Sequence, residues 1–207
     1  MCKKKILTIV MLLLVQQLAA QNRYSVVIDE LMADPTPPVG LPAVEYIELK
    51  NVSGSNINLS GWRIADAGAQ SGPLPAYILK PDSFLIVCSS SSLAQLLPFG
   101  PAVSVSGFPS LDNDGDIITL RSPSGMAIHT VAYTTAWYRN PAKAGGGWSL
   151  EMTDTRNPCG GAGNWKASTG ALGGTPGKRN ANYAPNPDTQ PPSLTHTYTT
   201  GAGEVVA

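Results

Sequence analysis

The stretch Ala43–Asp66, AVEYIELKNVSGSNINLSGWRIAD, decides the fold. Glu45, Ile47 and Leu49 alternate with Tyr46, Glu48 and Lys50 in a run rich in β-forming residues, the period-two pattern of a strand with two distinct faces. The Asn51–Asn58 segment supplies the Gly, Ser and Asn residues of a polar turn, and a second strand follows at once as Leu59-Ser60-Gly61-Trp62-Arg63-Ile64.

Working outward, strands are expected at Ser25–Met32, Val44–Lys50, Trp62–Ala65, Tyr77–Leu79, Ser83–Cys88, Asp116–Arg121, Met126–Tyr133 and Trp148–Met152. Asp34-Pro35 and Pro37-Pro38 end the first of these, because proline cannot donate to a ladder. Ser83–Cys88 is apolar enough to be buried on both faces. Ser122-Pro123-Ser124-Gly125 is the turn of a hairpin. With 21 Gly and 18 Pro in 207 residues the chain is turn-dense, and long helical periodicity is absent. A single short helix is expected at Ser91–Leu97, stopped by Pro98. The expectation is all-β, a sandwich of about seven to eight strands.

The pairing EYIEL-x-N followed by INLSGW resembles the lamin-tail domain, an immunoglobulin-like β-sandwich of nuclear lamins and of many bacterial secreted proteins. LDNDGDIITLRSPSGMAIHTVAY is similar to the family's hairpin. Trp148-Ser149-Leu150-Glu151, Asn157-Pro158-Cys159, Asn164-Trp165 and Gly174-Thr175-Pro176-Gly177 resemble the C-terminal section of its bacterial secreted form. The resemblance implies a noncatalytic domain spanning residues 21–182, and it raises DNA or chromatin as a partner because nuclear lamin tails have been linked to both.

Charge argues against nucleic acid. Lys3, Lys4 and Lys5 precede an apolar run, Ile6–Val15, and Leu18-Ala19-Ala20 closes it, the order of a secretory signal peptide over residues 1–20. The run of about ten apolar residues is half of what a membrane span needs. Cys2 lies before the run and is not a lipid acceptor at the cleavage site. Removing the leader takes three of the 14 basic residues and none of the 14 acidic ones, so the mature chain carries a net charge of −3. Phosphate-backbone binding scales with the phosphates that Lys and Arg neutralise; the one basic concentration, Lys166, Lys178 and Arg179, reads as a solvated edge.

Two cysteines remain, Cys88 and Cys159. In an exported protein an even pair reads as a disulfide, here closing a loop of about 70 residues worth roughly 4 kcal/mol; the other reading makes Cys88 a small core residue. With the lone His129 they lack zinc spacing. Asp112, Asp114 and Asp116 alternate on a polar turn and form a side hypothesis for calcium, although the EF-hand pattern fails and Asn, Asp and Gly also suit a hairpin entrance. No cofactor is implied.

Catalysis needs a nucleophile, a base and an orienting group together. His129 lies on a strand whose alternation places it on the sheet surface, and Glu45 and Glu48 point to opposite faces. An enzyme would require carboxylates such as Glu30, Glu45 and Asp66 to converge. Among the aromatics, Trp62, Trp148 and Trp165 read as core or sheet-covering residues, while Trp137 and Tyr138 read as a loop tip offering flat faces to a glycan or protein. Residues 183–192 form a Pro-rich linker, and 193–207 read as the start of a further β module or a disordered tail. The resulting expectation is a noncatalytic, secreted or cell-surface module of a longer multidomain protein, with a carbohydrate-binding β-sandwich as the alternative.

Overall fold

Val26–Met32, VVIDELM, becomes strand β1 and is buried along its whole length, because it lies at the centre of a sheet covered on both faces. The computed structural model describes residues 23–189, together with the backbone of a hairpin formed by Tyr198–Thr200 and Glu204–Val206. The leader at 1–20 and most of 193–207 lie outside the described residues.

After β1 the elements run β2 (Tyr46–Asn51), β3 (Ile57–Asn58), β4 (Arg63–Ala65), β5 (Ile78–Leu79) and β6 (Phe84–Ser89). A four-residue helix, α1 (Leu93–Leu96), leads to β7 (Ala102–Val105), β8 (Gly115–Arg121), β9 (Ala127–Thr134), β10 (Leu150–Met152) and β11 (Trp165–Ala167). A six-stranded sheet has the order β11-β10-β1-β2-β6-β7, and a three-stranded sheet has the order β4-β8-β9. All pairings are antiparallel except β6 with β7. The eight expected strands are present, whereas β3, β7 and β11 were not anticipated.

The main core lies between the two sheets. Ile28, Leu49 and Leu85 from one meet Ile64, Ile118, Leu120 and Val131 from the other, with Trp62 filling the centre at 0% exposure. Burial of that size drives the fold, at about 25 cal/mol per Å² of apolar surface. A second cluster, Met32, Leu41, Tyr46, Ile86, Cys88 and Leu96, covers the outer face of the six-stranded sheet. Strand β6 is thereby buried on both faces, Leu85 and Val87 inward and Ile86 and Cys88 outward, as its apolar run implies.

Beyond β11 the chain folds back over the outer face of the six-stranded sheet as a strap, residues 168–182. Gly173 fixes its course: its φ is +91° and an added Cβ would stand 2.1 Å from the Gly147 carbonyl oxygen, a position that only glycine fills without strain. The proposed linker is also partly attached. The Ala184 N–H donates to the Thr153 carbonyl at 3.0 Å, and the Asn186 N–H donates to Asp154 Oδ2 at 2.9 Å. Burial works against the Asp154 charge, but N–H donors from Asn186 and Arg156 outweigh it and hold this carboxyl below its ordinary value.

Candidate functional site

Strand register assembles a cluster that linear sequence hides. A bulge between Ile28 and Glu30 leaves Asp29 without a cross-strand partner and sets Glu30 opposite Glu48 on β2 and Glu151 on β10. The neighbours Leu31, Ile47, Leu49, Leu150 and Met152 face the main core, so the three glutamates form a row on the outer face. Each is 0% exposed. Like charges directly across a ladder repel, and the strap supplies the donors that offset this.

Glu30 Oε1 accepts from Tyr46 Oη at 2.8 Å, Ser149 Oγ at 2.6 Å and the Thr175 N–H at 2.8 Å. Glu151 accepts from Ser168 Oγ at 2.5 Å, Thr175 Oγ1 at 2.9 Å and the Asn182 N–H at 2.9 Å. The Gly177 N–H donates to Glu48 Oε2. Asn180 anchors the strap to the main chain, donating to the carbonyls of Asp29 and Met152, each at 3.0 Å.

Burial pushes the Asp29 carboxyl up to about 8, with Lys50 pulling the other way, and pushes Glu30 up to about 7. Burial, followed by the Glu30 charge, raises Glu48. Asp29 Oδ1 and Glu48 Oε1 have no hydrogen-bond partner. A buried carboxyl with one oxygen left without a donor and closed from water favours the protonated form. Buried beneath the strap, these groups form a clasp that joins it to the sheet. The signal in the sequence was a Glu inside each of three apolar runs, DELM, YIELK and SLEM; only register shows that they meet.

The residues singled out from sequence distribute differently. Tyr138 is buried at 4% exposure in the 3-10 turn Thr135–Tyr138, where burial pushes its phenol up to about 12. Trp137 leans on Trp165 with ring centroids 6.1 Å apart and planes tilted by 39°. The expected exposed Trp137–Tyr138 platform is therefore not formed, because the turn drives Tyr138 into the core. Trp62 and Trp165 are buried as read, and Trp148 is half-buried beneath Lys143 Nζ, 3.8 Å from its ring.

His129 corrects a second expectation. It is 2% exposed rather than on the sheet surface: Nδ1 accepts from the Ile28 N–H at 2.9 Å, and Nε2 lies 3.3 Å from the Pro158 carbonyl. Burial lowers its pKa to about 4, so the ring is neutral and ties β9 to β1. Glu30, Glu45 and Asp66 do not converge. Glu45 lies on the other side of β2's start, accepting from the Leu111 N–H at 3.3 Å, while the Asp66 charge is felt at Asp116.

The Cys88–Cys159 bridge is not formed; both are free thiols. Cys88 packs in the outer cluster, its Sγ 3.7 Å from the Val103 carbonyl, and burial raises its pKa to about 11. Cys159 is exposed in the loop after β10, its Sγ 3.0 Å from Tyr24 Oη. Excess dithiothreitol is expected to leave the melting temperature unchanged in a thermal scan, whereas a bridge of that span would be worth roughly 4 kcal/mol and its reduction would lower it.

Asp112, Asp114 and Asp116 do not gather around a centre. The Asp112 carbonyl accepts from Tyr133 Oη at 2.8 Å, and Asp116 Oδ1 turns back to the Ile117 N–H at 2.6 Å. Among the described residues no group of three His, Cys, Asp or Glu side chains is placed to hold a metal ion. No helix among them is long and apolar enough to cross a membrane.

A surface concavity lies beside β9. It is walled by Tyr24, Trp137, Trp165 and the Pro158–Gly161 loop, floored by Thr130–Ala132, and encloses about 240 Å³. Among the nine residues around it none carries a formal charge.

The two-sheet layout with its closed polar clasp defines an immunoglobulin-like β-sandwich. The profile of the Lamin Tail Domain family matches residues 19–135, more than half of the sequence, and the chain belongs to that family. No curated protein matches it. The family match ends just past β9, yet β10 and β11 complete the six-stranded sheet by pairing beside β1.

Proposed function

We propose that this chain is a noncatalytic, exported or surface-displayed lamin-tail module that serves a structural and binding role in a longer multidomain protein. The observation that carries this reading is the clasp: the row of Glu30, Glu48 and Glu151 is wholly buried, and each of the three accepts at least one hydrogen bond from the strap, which suits cohesion rather than turnover. The positively charged and apolar leader at residues 1–20 supports export. A mature charge of −3, from 11 basic and 14 acidic residues once the leader is removed, supports partners other than nucleic acid. The burial of Tyr138 removes the paired aromatic platform on which a glycan-binding reading rested.

Fractionation of the native host followed by N-terminal sequencing tests the proposal. The chain is expected at the surface or in the medium, beginning at Gln21. Recovery from the cytosol with Met1 and the leader intact would overturn it.

A further inference from the structure

The edge of β9 is chemically unfinished. β9 pairs with β8 on one side and ends the three-stranded sheet on the other. Two backbone bonds fix which residues look outward. The Thr135 N–H donates to the Asp114 carbonyl at 3.3 Å, so the odd-numbered residues of this stretch address β8. At the other end the Tyr24 N–H donates to the Ile128 carbonyl at 3.0 Å, so the even-numbered residues address the open side. An antiparallel strand turns the N–H and C=O of one residue to the same side. Thr130 and Ala132 thus present two donors and two acceptors outward, and among the described residues none engages them.

Open edges are ordinarily blunted by charge, proline or a bulge. Between Thr130 and Thr134 β9 has none of these: the sequence is Thr-Val-Ala-Tyr-Thr, and the one register shift lies at Leu120/Arg121, at the end that Tyr24 already covers. Thr130, Ala132 and Thr134 are exposed. The concavity beside them has aromatic walls and an uncharged lining. Its volume of about 240 Å³ falls below the roughly 300–1,000 Å³ typical of drug-sized ligands. An extended backbone, by contrast, needs only a row of edge donors and acceptors with a pocket for alternate side chains.

We propose that the Thr130–Thr134 edge of β9 docks an extended, uncharged peptide segment, which adds a strand to the three-stranded sheet and places one small or apolar side chain in the concavity beside it, against the outer face of the packed Trp137–Trp165 pair. This names the partner class for the binding role proposed above and rests on that reading. Tyr24 marks one end of the added strand, since its own N–H already occupies the Ile128 position. The uncharged lining of the cleft disfavours a charged side chain inside it, by desolvation cost rather than by repulsion. Main-chain bonds supply affinity, and the concavity against that pair supplies selectivity.

A phage-displayed library of linear dodecapeptides panned on the full chain, with selected peptides resynthesised, provides the probe. The expected binders are uncharged and β-forming, and in isotope-labelled protein they slow hydrogen exchange of the Thr130 and Ala132 amides at least tenfold. Ala132→Pro removes an outward N–H that β8 does not use, so the hairpin persists while affinity falls at least tenfold. N-methylation of alternate peptide backbone nitrogens abolishes binding to the unaltered protein, a control that needs no variant. Binding that survives both changes, or selection of no peptide, overturns the proposal. Self-association that Ala132→Pro abolishes without added peptide also overturns it, by making a second copy the occupant. Because the panning does not depend on where the chain resides, its failure is distinguishable from failure of the export test.

Discussion

Glu30→Ala is expected to cost the domain about 3–5 kcal/mol and to loosen the strap over residues 168–182 before the rest of the sandwich opens. One oxygen, Oε1, accepts from Tyr46 Oη, Ser149 Oγ and the Thr175 N–H, which come from β2, the residue before β10 and the strap. Tyr46 and Ser149 are 0% exposed and Thr175 is 6% exposed, so water does not replace the lost acceptor. Each orphaned buried donor costs about 1–3 kcal/mol. Relief of repulsion from Glu48 and Glu151 returns part of this, which keeps the total below the simple sum. A domain of this kind has roughly 5–15 kcal/mol to lose.

Glu30→Gln separates the acceptor from the charge. Its amide oxygen can take the three donors while its NH₂ group faces Thr175 Oγ1, 3.5 Å from the present Oε2. The cost is therefore expected to stay near 1 kcal/mol at mildly acidic pH. Urea unfolding of both variants, with hydrogen exchange at the Thr175 amide, provides the measurement. If Glu30→Ala unfolds within 1 kcal/mol of the parent and Thr175 keeps its protection, the clasp does not hold the strap.

Local pattern and long-range pairing contributed differently to what could be read in advance. The β8–β9 hairpin was legible because its turn chemistry and alternation lie within twenty residues, and β6 was legible because its run is apolar throughout. Strand β7 was not, since it pairs in parallel with β6 and its partly buried AVSV sequence is a weak strand signal. Strand β11 has three residues and exists because β10 lies beside it. His129 in fact keeps the alternation of its strand, sharing the buried face of Val131 and Tyr133, so its surface placement was a misread phase; on that face its Nδ1 meets the Ile28 N–H. The glutamate row depends on a bulge at Asp29 that shifts register by one residue, and no window of the sequence reveals a bulge's partner. Tyr138 looked like a loop tip because it precedes Arg139-Asn140-Pro141, but the 3-10 turn rotates it inward.

The same row makes stability depend on pH in an unusual direction. Carboxyls stabilised as anions in the fold weaken a protein as pH falls; Asp29 and Glu30 do the reverse, since burial raises them to about 8 and about 7. Their unfolded values lie near 4. Between those limits the folded state binds more protons than the unfolded one, so the stability they contribute is fully present below about pH 4 and is lost as pH rises through the folded values. Glu48 is raised in the same sense. His129 works oppositely: held down to about 4 by burial, against about 6.5 unfolded, it contributes stability above that unfolded value and loses it as pH falls. Below pH 6.5 the imidazole therefore cancels part of the carboxyl slope, and above it nothing does. The unfolding free energy is expected to fall by roughly 2–4 kcal/mol from pH 5.5 to pH 8, most of it above pH 6.5. Glu48→Gln should flatten that limb by removing one titrating member of the row, with its gain confined to the alkaline side. Urea titrations at half-unit pH steps measure both curves. A parent protein equally stable at pH 5.5 and pH 8 would mean that the row is already ionised at neutral pH, and that the strap's N–H donors outweigh burial at Glu30.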